Sequence, residues 1–197
     1  SPSPGMDEKV RERMCADAVN LFRSLNYKGA GTVEFLFDGK EYFFMEVNAR
    51  VQVEHPVSEY VSGVDIIREQ IRACGGEKLS VRQEQIRLEG ASIECRINAV
   101  TPGQITEYFQ PGGRNVRFDS FLYQGYTVQP YYDSLLGKLI TYGSNRRSAV
   151  ARMKRALSEL TIGGISTNIE EQKRIIGSGI FQQGVFGTYD LPKILEE

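Results

Sequence analysis

Cysteine and histidine are scarce in this sequence, charge of neither sign prevails, and no long apolar run interrupts its 197 residues. Each shortage excludes something. Cys15, Cys74 and Cys95 are odd in number, widely spaced and without a C-x-x-C pair. That argues against a disulfide framework or a zinc site, and for a reduced, cytoplasmic setting. The one histidine, His55, stands before Pro56 and reads as a structural turn residue rather than a catalyst. Nothing approaches the roughly 18 apolar residues of a membrane helix, and no charged-then-apolar leader opens the chain, so neither a membrane span nor export is expected. With 24 basic against 25 acidic residues the formal charge is -1. No general affinity for nucleic acid or an anionic membrane follows, and any anion must be bound locally.

What is present suffices for a core. Hydrophobic residues make up 41% of the chain, at a length that allows one large domain or two small ones. The opening Ser1-Pro2-Ser3-Pro4 reads as an extended connector within a longer protein, because each residue before a proline is pushed out of the helical region. Val10, Met14, Ala18, Phe22 and Leu25 recur at helical spacing from Asp7 to Leu25, and Gly29-Ala30-Gly31 closes that helix. Thr32 to Phe37 and Glu41 to Asn48 are β-rich runs about Asp38-Gly39-Lys40, a three-residue hairpin loop with its glycine at the left-handed position. Asp65 then caps a helix carrying Ile66, Ile67, Gln70, Ile71 and Cys74, stopped by Gly75-Gly76. The mixed polar stretch Glu77 to Arg87 places a boundary near Glu89, giving expected domains 1–88 and 89–197.

Beyond that boundary Ala91, Ile93, Cys95 and Ile97 alternate with Ser92, Glu94, Arg96 and Asn98, the pattern of a half-buried strand. Strands around Val116, Tyr126 to Val128 and Leu135 to Tyr142 follow, then a helix from Asn145 to Leu160. Thr167-Asn168-Ile169-Glu170 resembles a capping box opening another. The expected fold class is α+β. The basic residues Arg146, Arg147, Arg152, Lys154 and Arg155 read most simply as a solvated helix face, with an acidic partner as the other reading.

Chemistry concentrates in one stretch. Glu46, Asn48, Arg50, Gln52 and Glu54 alternate with Val47, Ala49, Val51 and Val53, so an extended chain would set all five polar groups on one face. A three-residue loop pairs Phe37 with Glu41, and hence Glu34 with Phe44, bringing Glu34 to the face of Glu46. A two-residue loop would flip the pairing and separate the carboxylates. Paired carboxylates beside a carboxamide oxygen are hard ligands suited to Mg2+ or Mn2+, which can bridge nucleotide phosphates. Arg50 offers a planar fork for a carboxylate, bicarbonate or phosphate, and Glu54 an acid-base group within reach of it. A surface strand with a polar outer face is the plainer reading of the same periodicity.

The run Phe44-Met45-Glu46-Val47-Asn48-Ala49-Arg50-Val51-Gln52-Val53-Glu54-His55-Pro56 closely resembles the signature of biotin-dependent carboxylases. The likeness continues through Gly29 to Phe35, Glu94 to Ala99 and Tyr131 to Leu139, and covers essentially the whole chain. It is strongest to the stand-alone bacterial biotin carboxylase subunit of acetyl-CoA carboxylase, an ATP-dependent ligase of the ATP-grasp family acting in fatty acid biosynthesis. The resemblance implies the second half of an ATP-grasp core over 1–88 and a biotin carboxylase C-terminal domain over 89–197. It makes Glu34, Glu46 and Asn48 the ligands of a metal that brings the phosphates of ATP to bicarbonate. Arg50, Gln52 and the backbone of Val53 would hold bicarbonate, and Glu54 would be the base that lets it attack ATP to give carboxyphosphate. Arg96 would stabilise the enolate-like oxygen of biotin, since a fixed cation where charge develops lowers the barrier without reorganising. Asp133 would pair with and orient Arg96. Without the resemblance, Arg96 reads as a solvated strand charge and Asp133 as a turn residue bonding its own backbone. The implied partners are a biotin carboxyl carrier protein, a carboxyltransferase and a second copy of the chain.

The sequence also departs from that family. Its glycine-rich lid over the phosphates, its ATP-contacting lysines and its N-terminal domain have no counterpart in these residues, so the chain alone is expected to be inactive. Val100-Thr101-Pro102-Gly103 stands in place of a longer, acidic, proline-containing loop. Arg114 replaces an aromatic near the family's dimer contact, which weighs against the homodimer, although Arg117 matches. Tyr189-Asp190-Leu191-Pro192 differs from the segment that touches adenine. Two competing functions remain. Another ATP-grasp ligase, of the carbamoyl-phosphate or purine type, would not need the Glu94-Cys95-Arg96 strand. A catalytically silent module would use the C-terminal domain for assembly.

Overall fold

A computed structural model describes residues 1–196, which divide into two compact units. One is Pro2–Leu88, and the other begins at Glu89 and takes in Ser1.

In the first unit, α1 (Glu8–Ser24) opens where the Asp7 carboxylate accepts from the N–H groups of Lys9 at 2.9 Å and Val10 at 3.4 Å. Such an N-cap satisfies donors that have no intrahelical partner. The helix is tied to the hairpin by the Tyr42 hydroxyl, which donates to Asp17 Oδ2 at 2.6 Å. Phe22 lies so close over Gly31 that a Cβ there would collide with its ring.

The hairpin joins β1 (Thr32–Phe37) to β2 (Tyr42–Asn48). Its loop is not the expected one. Phe37 pairs with Tyr42 rather than Glu41, because Asp38 Oδ1 collects the N–H groups of both Lys40 and Glu41 at 2.8 Å. Gly39, at φ 99°, does take the left-handed conformation. This register sets Phe35 opposite Phe44, and carried on evenly it would put Glu46 on the face away from Glu34. A bulge intervenes: Met45 has no partner, and the ladder resumes with Glu34 opposite Glu46.

The five-residue alternation beyond Glu46 is likewise not one strand. β2 stops at Asn48, and the chain turns into α2 (His55–Ser62), a helix the periodicity did not reveal. Pro56 sits in its first turn, where a missing N–H is no loss. Next comes α3 (Ile66–Cys74), where Asp65 Oδ1 accepts from the Arg68 N–H at 2.8 Å as the capping pattern predicts.

The second unit strings together β3 (Ala91–Asn98), β4 (Gly103–Gln104), β5 (Glu107–Phe109), β6 (Val116–Ser120), β7 (Thr127–Val128), β8 (Leu135–Gly143), α4 (Arg146–Glu159), β9 (Thr161–Gly163), α5 (Ile169–Gly177), α6 (Gly179–Gln183) and α7 (Asp190–Glu196). β8 is the centre of an antiparallel sheet with β3 and β6 at its edges. Against it α4 buries Ala149, Val150, Met153, Ala156 and Leu157, which join Ile93, Cys95, Ile97 and Leu139 in one core. Burial pushes the Cys95 thiol up to about 12, so this cysteine packs and does not react.

Two sequence expectations fail here. β3 is not half-buried along its length: Ser92 is fully buried with its hydroxyl donating to Thr141 O at 3.0 Å, and the Glu94 side chain is only 5% exposed. Only at Arg96, half exposed, does the strand open to solvent. Nor is there a capping box at α5, for Asn168 stands at its N-cap without a side-chain bond to the helix. The short connection after β3 is closed by Val100 N–H donating to Ser166 O at 2.8 Å and Ser166 N–H to Thr101 Oγ1 at 3.0 Å. Among the described residues no helix is long and apolar enough to cross a membrane.

Candidate active site

The bulge in β2 brings Glu34 and Glu46 together. Asn48, two residues on, points its amide Nδ2 between them, donating to Glu34 Oε1 at 3.1 Å and to Glu46 Oε1 at 2.8 Å. Gln52 reaches the same Glu34 Oε1 through Nε2 at 2.6 Å. Two carboxylates thus converge on the positive end of an amide dipole, where a hard cation would be held by the same oxygens. Turning the Asn48 amide would present its oxygen as a third ligand, and a Mg2+-like site with three protein ligands keeps positions for phosphate and water. Among the described residues no group of three or more His, Cys, Asp and Glu gathers.

The turn after β2 completes the arrangement. Arg50, Gln52 and Glu54 line one cavity of about 230 Å3 with His55, although no common strand carries them. Arg50 Nη1 donates to Val51 O at 3.1 Å, leaving most of its donors for a ligand. Val53 is half-buried in the turn that leads into α2, and Glu54 occupies the N-cap position without its side chain capping the helix. His55 Nδ1 lies 2.7 Å from Gln52 O. A carbonyl only accepts, so that nitrogen carries the proton, and His55 braces the turn that holds Gln52. A hollow of about 540 Å3 along α4, with Arg146, Arg147 and Lys154, contains none of these residues.

In the second unit Arg96 extends from β3 with Glu94 Oε1 3.8 Å from its Nε, and Lys138 pairs opposite it on β8. The expected Arg96–Asp133 pair is not formed. Asp133 Oδ1 instead accepts from the Leu135 N–H at 2.8 Å, the local turn that short acidic side chains favour. It still stands near the end of β3, since Ala99 N–H donates to Ser134 O at 2.8 Å. Arg117 binds Asp119 through Nε and Nη2, both at 2.7 Å.

Two sequence families cover the chain. Residues 1–82 match the carbamoyl-phosphate synthase L chain ATP-binding domain. Residues 80–193, more than half of the chain, match the biotin carboxylase C-terminal domain. The chain belongs to the biotin carboxylase family. The Pseudomonas aeruginosa biotin carboxylase is 48% identical over 99% of this chain, and biotin carboxylase 1 of Bacillus subtilis 50% identical over 95%. A pyruvate carboxylase subunit of Methanothermobacter thermautotrophicus is 45% identical over 96%. The chain spans 45%, 44% and 40% of those three relatives. Its structure matches the biotin carboxylase domain of Hydrogenobacter thermophilus 2-oxoglutarate carboxylase, a dimer in complex with MgADP, ADP and bicarbonate. The TM-score is 0.94 at 38% identity, over 100% of this chain and 46% of that one.

The α+β, ATP-grasp-type fold expected from the signature therefore holds, and the carbamoyl-phosphate or purine-type reading yields to the biotin carboxylase match over the second unit. Membership does not select acetyl-CoA carboxylase, because relatives named for other carboxylases lie about as near. Sequence reasoning missed the side-chain engagement of Asn168. The capping pattern picked the residue out, but no local signal tells that its amide faces β3.

Proposed function

We propose that this chain supplies the metal-phosphate and bicarbonate groups, and the biotin-facing arginine, of an ATP-dependent biotin carboxylation, the first half-reaction of acetyl-CoA carboxylase in the cytoplasm. The observation that supports it best is the convergence of Glu34, Glu46, Asn48 and Gln52 on one another. In this reading Arg50, Gln52 and the Val53 N–H hold bicarbonate, the guanidinium fork matching its planar oxygens. Glu54 takes the proton from bicarbonate, whose oxygen attacks the γ-phosphorus of ATP, releasing ADP and forming carboxyphosphate. Bound by Glu34, Glu46 and Asn48, Mg2+ or Mn2+ supplies neutralisation of phosphate charge. Carboxyphosphate gives CO2 and phosphate, the phosphate takes the N–H proton of the ureido group of biotin on its carrier protein, and the freed nitrogen attacks CO2. Arg96 faces the negative charge that builds on the ureido oxygen, with Glu94 fixing its stem and Asp133 bordering the biotin end. The phosphate lid and N-terminal domain belong to the part of the relatives' length that this chain does not span. A carboxyltransferase and a second copy of the chain complete the proposed assembly.

The test is Arg96→Gln in the full-length enzyme that carries this chain. Carboxybiotin formation should fall by about two to three orders of magnitude, the scale on which single oxyanion stabilisers act. Bicarbonate-dependent ADP release without biotin should change far less, whereas Glu54→Gln should depress both. Equal losses in both rates for Arg96→Gln would move Arg96 into the phosphate site or the fold and remove its biotin role.

A further inference from the structure

The place where β3 ends is held from outside its own sheet. β3 is an edge strand, and its ladder with β8 turns irregular between Ile97 and Asn98, one residue beyond Arg96. On the open edge stands Asn168. Its Oδ1 accepts from the Asn98 N–H at 2.8 Å, its Nδ2 donates to the Arg96 carbonyl at 3.1 Å, and its own N–H donates to the Asn98 carbonyl at 3.1 Å. A carboxamide presents a donor and an acceptor spaced like those of a peptide group, so Asn168 imitates one residue of a neighbouring strand. Both partners are backbone groups of fixed polarity, which settles which amide atom is nitrogen.

This engagement runs against the local rule. Asn168 is the N-cap residue of α5, where an asparagine side chain ordinarily accepts from the helix and stabilises it, yet it makes no such bond. Residues that break a local preference tend to mark functional positions. Resting on the role proposed for Arg96, we infer that Asn168 is a positioning residue for the biotin step, clamping the backbone from which the arginine projects. Arg96 is long and half exposed, so the place of its guanidinium depends on how firmly its Cα is held. A shift of about 1 Å at a charge-stabilising group can cost up to about 100-fold in rate.

The experiment uses the full-length enzyme, measuring carboxybiotin formation and biotin-independent, bicarbonate-dependent ADP release on each preparation. Asn168→Ala should lower the first by about 10- to 100-fold and the second by less than about twofold. Asn168→Asp keeps the acceptor for Asn98 but turns an acceptor toward the Arg96 carbonyl, so it should lose carboxylation as Asn168→Ala does. Because the residue acts through Arg96, adding Asn168→Ala to Arg96→Gln should cost little more than Arg96→Gln alone. Independent, multiplying losses in the double variant would overturn the inference, and so would parallel loss of both rates in Asn168→Asp. A selective loss in Arg96→Gln with none in either Asn168 variant sinks the positioning role alone. An unselective Arg96→Gln sinks the reading beneath it as well.

Discussion

Among the described residues, the unit Pro2–Leu88 buries only Val10, Pro56 and Val61 of its apolar side chains, whereas the unit from Glu89 buries Ile97, Ile105, Leu139, Met153 and Leu157 completely. The first unit instead leaves Leu36, Phe43 and Phe44 more than half exposed. A two-stranded hairpin beside three helices cannot cover both of its faces, while a three-stranded sheet with α4 upon it encloses a core. Local opening free energy follows the amount of buried apolar contact. The carboxylates Glu34 and Glu46 and the turn that carries Arg50, Gln52 and Glu54 therefore stand on the softer unit, and Arg96 stands on the firmer one.

That contrast can be broken most sharply by core truncation. Leu157→Ala in the 197-residue chain should destabilise the second unit by about 2–5 kcal/mol, the cost of an apolar cavity at a fully packed site. Phe43→Ser in the first unit should change stability by less than about 0.5 kcal/mol, as exposed positions do. Circular dichroism of urea unfolding, with hydrogen exchange assigning each transition to its unit, decides the matter. Comparable losses would mean that the first unit is as well packed as the second.

A smaller effect isolates the bulge. Inserting one alanine after Met45, where the one-residue bulge is already taken up by Met45, should shift the register by one and carry Glu46 and Asn48 off the face of Glu34. Mn2+ affinity of the full-length enzyme, read calorimetrically in the presence of ADP, should fall by about 10- to 100-fold. Retained affinity would show that the hairpin does not form the metal site.

The least effect concerns the polar face of the second sheet. Burial raises the Asp119 carboxyl, but the Arg117 fork and Lys138 outweigh it and hold the group below the usual carboxylate range. A lowered folded value contributes stability that is present above the unfolded pKa of about 3.9 and is lost as pH falls through the folded value. The Tm advantage over Asp119→Asn should thus be full at neutral pH and shrink below about pH 4. A difference that grows with acidification would contradict the pairing.

Much of this was legible from residue order. Asp65 caps its helix as expected, and Asp7 and Asn145, where the helical stretches were expected to begin, prove to be caps as well, because capping depends on bonds reaching only two or three residues. Gly39 marked its turn for the same reason. Glu34 and Glu46 share a face as expected, but Glu34 pairs with Glu46 rather than with Phe44: the loop register would have parted them, and the unpaired Met45 restored them. Alternation from Glu46 to Glu54 predicted one strand face for five residues, whereas a turn rather than a strand brings Arg50, Gln52 and Glu54 to one cavity.

By itself, then, the sequence determined α1, α3, α4, the two hairpin strands, β3, β8 and, through its signature, the family, all of which rest on spacing and residue type. Tertiary structure decided the rest. It covered both faces of β3 up to Arg96, gave Asp133 to its own turn, and drew Asn168 away from α5 to the edge of β3, 72 positions from the Arg96 carbonyl it binds. A polar side chain has several partners of nearly equal worth within reach. Only the packing that fixes which backbone lies beside it chooses among them.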